Sequence, residues 1–271
     1  MKSFKVLVLF LAVLGLALGT ALAAQQLKMD GSTTVLPIAQ KCKEAFEAKH
    51  ADVNISLSGT GSGDGVKAII DGTADIGNSS RDLKDKEIKM AEEKGVKIVK
   101  HVVALDCIVP VVHPSNPVSD LTMEQLKDIY TGKIKNWKEL GGPDKPIAVI
   151  SRDSSSGTFE YWNEAVLHKE KVRPDAQLQA SNGAVAQAVA GNKYALGYVG
   201  LGYVNDQLKA LTVGGVAAAM ATAKDGSYPV SRELYMFTNG EPQGLVKEFL
   251  DFIKSAEGQT LAEEAGFVKA Y

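Results

Sequence analysis

The chain has 271 residues, of which 45% are hydrophobic, and its 30 Lys and Arg against 32 Asp and Glu give a formal net charge of -2. Proteins that cover nucleic acid with their whole surface are strongly basic, so this charge excludes that class. The two Cys are too few for a disulfide-rich scaffold or a multi-Cys zinc site. The length predicts one large folded domain or two smaller ones.

Residues 1–23 have the three parts of a secretory signal peptide. Two Lys give a positive start, residues 6–18 are almost continuously apolar, and Ala21-Leu22-Ala23 supplies the small residues that a signal peptidase reads. A membrane anchor or a buried helix is the alternative, but the apolar run is short for a membrane span. We expect cleavage after Ala23, which leaves a net charge of -4 and places the protein outside the inner membrane. No Cys lies near this site, which excludes a lipoprotein anchor.

Strand-like and helical runs alternate along the rest of the chain. Branched apolar residues predict strands at 27–29, 53–57, 76–77, 98–104, 108–112, 147–150, 195–199, 211–213 and 234–237. Apolar periodicity and capping signals predict helices at 36–49, 66–71, 84–94, 123–130, 159–167, 183–190, 242–255 and 257–265. This alternation is typical of an α/β protein with helices on both faces of its sheets.

Two segments are interpreted as crossings between two lobes. Residues 110–117 carry three Pro after a buried-looking strand, and residues 229–237 form a strand-like run after a Gly/Ser turn. Two crossings make the first lobe discontinuous. We therefore predict lobe I from residues 24–109 plus 230–271, and lobe II from residues 110–229.

Small hydroxyl residues and Gly recur where a strand leads into a helix. They are Gly-Ser-Thr-Thr at 31–34, Ser-Gly-Thr-Gly-Ser-Gly at 58–63, Ser-Ser-Ser-Gly-Thr at 154–158 and, more weakly, Ser-Ser at 79–80. The first N–H groups of a helix lack internal partners and its dipole attracts anions. One such junction is typical of a helix cap, whereas several in one chain predict convergence on one small oxyanion. Arg152 would add a cationic fork, unless it pairs on the surface with Asp153.

Several enzyme signatures do not match. The Gly residues at 59, 61, 63 and 65 fit neither a Walker motif nor a dinucleotide fingerprint. The four His form no metal-binding pair, and no nucleophile elbow is present. We therefore expect a binding protein without cofactor, metal site or catalysis. Cys42 and Cys107 either form a disulfide, which an oxidising compartment permits, or remain two buried thiols.

The hydroxyl-rich motifs carry a resemblance to a known family. The runs at 31–37, 58–63 and 79–81, the run Ile-Tyr-Thr-Gly-Lys-Ile-Lys-Asn-Trp at 129–137 and the run Arg-Asp-Ser-Ser-Ser-Gly-Thr at 152–158 are similar to the periplasmic phosphate-binding proteins of bacterial phosphate ABC importers, the PstS family. The motifs occur in the family's order over essentially the whole mature chain. The resemblance implies a type II periplasmic binding protein, with two α/β lobes joined by two hinge crossovers that close over one dehydrated phosphate.

The resemblance also implies partners and a ligand set. The partner would be an inner-membrane ABC permease, and we expect a monomer that binds no nucleic acid. By position, lobe I would bind phosphate through Ser32, Thr33, Thr34 and Ser62, and lobe II through Arg152, Ser156, Gly157 and Thr158.

One position departs from the family pattern. Some members have an Asp, which accepts the proton of hydrogen phosphate, where this chain has Ser80. Because an acceptor discriminates phosphate from unprotonated sulfate, we expect Asp106, at the end of a strand over 102–105, to supply it. The alternative is that Asp106 caps the strand or pairs with a cation. We further expect Arg81 to pair with Asp106 or Asp82 and to orient it.

Other functions stay open at this point. The same cage would suit sulfate, molybdate or a phosphonate. A secreted phosphatase that uses one of the cleft Ser residues is a second alternative, although the sequence lacks a serine–histidine pattern. A display or sensing role is a third.

Overall fold

The computed structural model describes residues 24–271, so the predicted signal peptide at 1–23 lies outside the described residues. The strands are β1 Gln25–Gly31, β2 Val53–Leu57, β3 Ile76–Ser79, β4 Ile98–Val112, β5 Asp120–Leu121, β6 Ala148–Arg152, β7 Gln177–Gln179, β8 Ala195–Gly200, β9 Lys209–Ala210, β10 Thr212–Val213 and β11 Ser231–Asn239. The helices are α1 Leu36–Lys49, α2 Ser62–Ile70, α3 Asp85–Glu93, α4 Met123–Thr131, α5 Gly157–Ala165, α6 Asn182–Ala190, α7 Met220–Lys224, α8 Gly244–Lys254 and α9 Ala256–Glu264.

One sheet runs through the whole molecule. Its strand order is β2-β1-β3-β11-β4-β8-β6-β7, with β9 also paired to β4. The outer strands pair in parallel, as the helical connections between them require, whereas β11 is antiparallel to both β3 and β4. The α/β class predicted from the alternating pattern is confirmed.

The apolar residues form two main cores on either side of a two-stranded ribbon. One core takes residues between 27 and 104 and between 234 and 267. The other takes residues between 107 and 230 together with Val268. The chain passes from one core to the other within β4 and returns within β11, so the two lobes are joined by two crossings. The lobe boundaries at 109/110 and 229/230 stay predictions.

The ribbon differs from the sequence interpretation in one respect. The predicted strands at 98–104 and 108–112 are a single strand of 15 residues. Asp106 interrupts the apolar run in the sequence. The sequence therefore predicted two strands where the structure has one. Asp106 therefore lies inside β4 and not at the end of a strand, and Arg232 is its cross-strand partner on β11.

Each core also contains one buried Cys. Cys42 belongs to the first core and Cys107 to the second, and both are free thiols. Of the two alternatives for this pair, the structure has buried thiols rather than a disulfide. None of the helices within residues 24–271 has the length and apolar character needed to cross a membrane.

Candidate functional site

Three helices begin where the two lobes meet. The turn before α1 contains Ser32, whose Oγ accepts the N–H groups of Thr34 and Val35 at 3.1 and 3.3 Å. Ser156 caps α5, because its Oγ accepts the N–H of Phe159 at 3.1 Å. The third helix, α2, begins directly at Ser62. Three of the four predicted hydroxyl motifs therefore lie in or directly before the first turn of a helix, whose dipole favours an anion at that end. The weaker motif, Ser79-Ser80, instead lies at the end of β3, several residues before α3.

Two glycines allow these turns to approach one another. Gly61 has a φ of 133°, which side chains rarely adopt, and a Cβ there would overlap Ser155 of the other lobe. A Cβ on Gly157 would overlap Ser62 Oγ and would lie 2.8 Å from Ser80 Oγ. The backbone at the start of α5 thus lies against two hydroxyls of lobe I.

Hydrogen bonds join the lobes across this contact. The hydroxyl oxygens of Thr34 and Thr158 are 3.0 Å apart. Asn182, at the start of α6, donates from Nδ2 to the hydroxyls of Thr33 and Thr34, each at 3.0 Å. At the edge of the contact the N–H of Gly63 donates to the carbonyl of Ser155 at 3.0 Å. The two lobes are therefore closed on each other.

Arg152, the last residue of β6, is buried with 2% of its surface exposed. Its Nε donates to the carbonyl of Gln179 and its Nη2 to the carbonyl of Ala180, both at 3.0 Å, whereas Nη1 has no hydrogen-bond partner. Burial lowers the pKa of Arg152, and the nearby positive charge of Arg232 adds to this shift. A buried cation with an unpaired N–H group is costly, and an anion beside it would remove that cost.

The second buried cation of the site is Arg232. Its Nε and Nη2 donate to Asp106 Oδ2 at 3.0 and 2.8 Å, and both side chains are at most 1% exposed. Its remaining donors reach the carbonyl of Ser80 at 2.9 Å and the hydroxyls of Thr158 and Thr34 at 3.0 and 3.4 Å. Complete burial raises the pKa of the Asp106 carboxyl, and the contacts with Arg232 oppose this shift.

Ser62 and Ser80 form a separate hydroxyl pair beside Gly157. Their Oγ atoms are 3.2 Å apart, and Ser62 Oγ also accepts the N–H of Ser80 at 3.0 Å. Either hydroxyl can donate to the other, so this pair is able to donate to a ligand or to accept from it.

All ten predicted site residues are buried at or beside the contact between the lobes. They are Ser32, Thr33, Thr34, Ser62, Ser80, Asp106, Arg152, Ser156, Gly157 and Thr158. Asp106 differs from the others because Arg232 lies between its carboxylate and the hydroxyls of Thr34 and Thr158. The binding roles of all ten residues stay predictions.

The expected pairing of Arg81 is wrong. Its guanidinium binds Glu87 through two hydrogen bonds of 2.8 and 2.7 Å and forms an ion pair with Glu160 of lobe II. Its only contact with Asp82 is to the backbone carbonyl. Asp106 pairs with Arg232 instead, because the antiparallel register places these two residues opposite each other.

Sequence reasoning missed Arg232 and Asn182. Neither lies in a hydroxyl-rich motif, and Arg232 is more than 120 residues from its partner Asp106. The available signal was a charged residue beside an apolar run, since Asp106 lies next to the apolar run that ends β4 and Arg232 lies shortly before the apolar run of β11. Within residues 24–271 no group of His, Cys, Asp and Glu side chains is arranged to hold a metal ion.

Comparison with known proteins places these features in context. The profile of the PBP superfamily domain, PBP_like_2, matches residues 18–257. The phosphate-binding protein PstS of Staphylococcus saprophyticus is 37% identical over 257 residues, covering 90% of this chain and 80% of that protein. Both findings extend over both lobes.

Solved structures give the same result. A Clostridium perfringens protein described as a phosphate ABC transporter substrate-binding protein, solved with bound phosphate, is 38% identical with a TM-score of 0.85, covering 91% of this chain and 100% of that one. An ABC-type phosphate transport receptor from Vibrio cholerae is 30% identical with a TM-score of 0.73, covering 89% and 99%. The predicted type II fold with two lobes is confirmed.

Proposed function

Since the chain belongs to the PBP superfamily and, within it, to the PstS family of phosphate-binding proteins, we propose that it captures inorganic phosphate between its lobes and delivers it to an ABC importer. Capture takes place outside the inner membrane. The segment at 1–23 directs the chain to that compartment. The protein binds and releases its ligand unchanged. The inner-membrane permease is its partner, and the monomer is the working unit.

The observation that carries this proposal is the buried, unpartnered Nη1 of Arg152. Buried hydroxyls of Ser32, Ser156 and Thr158 and the first N–H groups of α5 lie at the contact between the lobes, and each can donate a hydrogen bond. A tetrahedral oxyanion has four oxygens that each accept several hydrogen bonds, so it matches a cage made of donors. The proposed ligand set is Ser32, Thr33, Thr34, Ser62, Ser80, Arg152, Ser156, Gly157 and Thr158.

The cage needs no excess of positive charge on the surface. Hydrogen bonds with a charged partner contribute about 1.5–3 kcal/mol each, and closure of the lobes removes the water that would compete with them. A net charge of -2 for the whole chain is therefore compatible with tight binding of one small anion. It is incompatible with attraction of a polymeric anion over the whole surface.

Calorimetry with phosphate, sulfate, molybdate and a phosphonate tests the proposal. We expect phosphate to bind and Arg152→Ala to lose at least about 100-fold in affinity, because a buried charged donor is removed. Arg173→Ala is the matched control, since Arg173 also belongs to lobe II but pairs with Asp175 at 2.5 Å. A response to sulfate alone, or an Arg152→Ala protein that binds phosphate normally, would refute the proposed function.

A further inference from the structure

Arg232 makes the contacts that carry a further inference, which rests on the function proposed above. It lies on β11, where the chain crosses from one core to the other. One guanidinium contacts the carbonyl of Ser80 and the hydroxyl of Thr34 in lobe I and the hydroxyl of Thr158 in lobe II. A side chain on the crossing strand thus binds ligand-facing groups of both lobes.

Asp106 holds this guanidinium in place and has little accepting capacity left. Its Oδ2 accepts two hydrogen bonds from Arg232. Its Oδ1 accepts the N–H of Leu201 at 2.9 Å. Because a carboxylate has about four accepting positions, these three contacts occupy most of them.

The donors around Thr34 fix the direction of its hydroxyl. Thr34 Oγ1 accepts from Asn182 Nδ2 at 3.0 Å and from Arg232 Nη2 at 3.4 Å. The amide of Asn182 is oriented by its own Oδ1, which accepts the N–H of Gly200 at 3.1 Å. Arg232 Nη2 has two N–H groups, of which one binds Asp106 and the other is shared between Thr158 Oγ1 and Thr34 Oγ1. Amide and guanidinium nitrogens only donate, so both donors point at lone pairs of Thr34 Oγ1. Its proton therefore points to the neighbouring hydroxyl of Thr158.

The same reasoning extends to Thr158. Its Oγ1 accepts from Arg232 Nη2 at 3.0 Å and, as just derived, from the hydroxyl of Thr34. With both lone pairs occupied, Thr158 can only donate its own proton onward. A hydroxyl in this state presents a donor to an anion and rejects a protonated oxygen.

We propose that Arg232, oriented by Asp106, is a positioning residue that fixes Thr34 as a donor to Thr158, and Thr158 as a donor to the ligand, when the lobes close, and that Asp106 does not itself accept a proton from the ligand. The role predicted from sequence for Asp106 differs in a measurable way. A proton acceptor affects only an anion that carries a proton, whereas a residue that orients donors affects phosphate and sulfate alike.

The experiment measures phosphate and sulfate affinities by calorimetry at pH 8 for the wild type, Asp106→Asn and Arg232→Lys. For Asp106→Asn we expect both affinities to fall about tenfold or more, with the ratio between the two anions unchanged within about threefold. Arg232→Lys keeps the positive charge but loses the planar fork, so we expect it to fall in the same way. Arg173→Lys, which alters an arginine outside the contact, should bind both anions as the wild type does.

Three results would overturn this role. If Asp106→Asn weakens phosphate alone, then Asp106 is the proton acceptor. If Asp106→Asn folds and binds both anions as the wild type does, then Asp106 does not orient the donors. If Arg232→Lys binds normally, then only the charge of Arg232 matters. Melting temperatures measured without ligand identify any variant that fails to fold. If Asp106→Asn fails to fold, then Arg232→Lys decides whether the donors are oriented from this position, because it retains a cation beside Asp106. A wild type that binds neither anion refutes the proposed function instead.

Discussion

The interior of the interlobe contact and its rim are held together by different forces. In the interior, hydroxyls, amide groups and two buried arginines make hydrogen bonds with fixed directions, such as Thr34 to Thr158 and Asn182 to Thr33. At the rim, Arg81 and Lys84 of lobe I form ion pairs with Glu160 of lobe II. The interior selects a ligand by geometry, which salt affects little. The rim stabilises closure by charge, which salt screens.

Glu160 has an unusual position for a rim residue. It lies in the first turn of α5, the helix whose N-terminus faces the proposed phosphate. The helix dipole stabilises a carboxylate at this position, but the carboxylate repels an anion bound nearby. When the lobes meet, Arg81 and Lys84 neutralise it, and Arg81 is itself held by Glu87. Closure therefore removes a repulsion from the site as it forms the ion pairs.

Of the two changes that test how the lobes pack together, the larger effect is expected in the interior, from Gly157→Ala. The added methyl group would overlap Ser62 Oγ and approach Ser80 Oγ, so the two lobes cannot close as observed. Overpacking of this kind costs about 1–3 kcal/mol, which corresponds to a loss of about 10- to 100-fold in phosphate affinity by calorimetry.

The control for this variant is Gly183→Ala. Gly183 also lies near the start of a helix in lobe II, but a Cβ there would meet only Ser181 Oγ at 3.8 Å. We expect it to bind as the wild type does. If Gly157→Ala binds phosphate equally well, then the contact between α5 and Ser62 is not part of the binding state.

A smaller effect is expected at the rim, from Glu160→Gln. This change removes both ion pairs to lobe I and leaves Arg81, which is largely buried, with Glu87 alone. We expect phosphate affinity to fall about three- to tenfold at low salt, and the difference from the wild type to shrink in 1 M NaCl. Calorimetry at both salt concentrations measures this.

Glu164→Gln is the matched control for the rim. Glu164 lies one turn further along α5 and pairs at 3.3 Å with Lys169 of the same lobe. Its loss should leave affinity unchanged at both salt concentrations. A Glu160→Gln protein whose loss of affinity is the same at low and high salt would assign Glu160 to the interior.

The two thiols lie outside both the interior and the rim of the contact. We expect phosphate to have no effect on their reactivity. Burial raises the pKa of Cys42 and of Cys107 to about 12. At pH 8 only about one thiol in ten thousand is then a thiolate, the form that reacts. We expect a thiol reagent to label neither Cys in the folded protein, with or without phosphate, and both in guanidinium chloride. Rapid labelling of one thiol in the folded protein would contradict the buried positions, and no labelling after unfolding without reductant would indicate a disulfide.

Local signals in the sequence were sufficient for much of the fold. The bounds of α1 and β2 agree with the prediction, because apolar periodicity and Pro37 define the first and branched residues the second. The starts of α2 and α5 were predicted four and two residues too late. Helix α2 begins with Ser-Gly and α5 with Gly-Thr, and these residues favour caps and turns over helix interiors.

The site residues that lie together in short sequence motifs could be predicted. Those that meet only through the pairing register of distant strands could not. Ser32, Ser62 and Ser156 belong to motifs that announce a helix N-terminus. Arg232 contacts Thr34, Ser80 and Thr158 only because β11 pairs with β4 in one register. Arg81 shows the reverse case, since its nearest acidic neighbour in sequence, Asp82, is not its partner in space.

The position of β11 between β3 and β4 has a consequence for how the chain is made. All buried residues of the second core except Val268 lie between 107 and 230, so this core is almost complete in sequence once residue 230 has been synthesised. The sheet of lobe I has to wait for β11, its interior strand, which is the last strand of all. Folding during synthesis therefore leaves β3 and β4 with unpaired edges until nearly 240 residues exist. This delay keeps the two-lobed form out of reach until translation is almost finished.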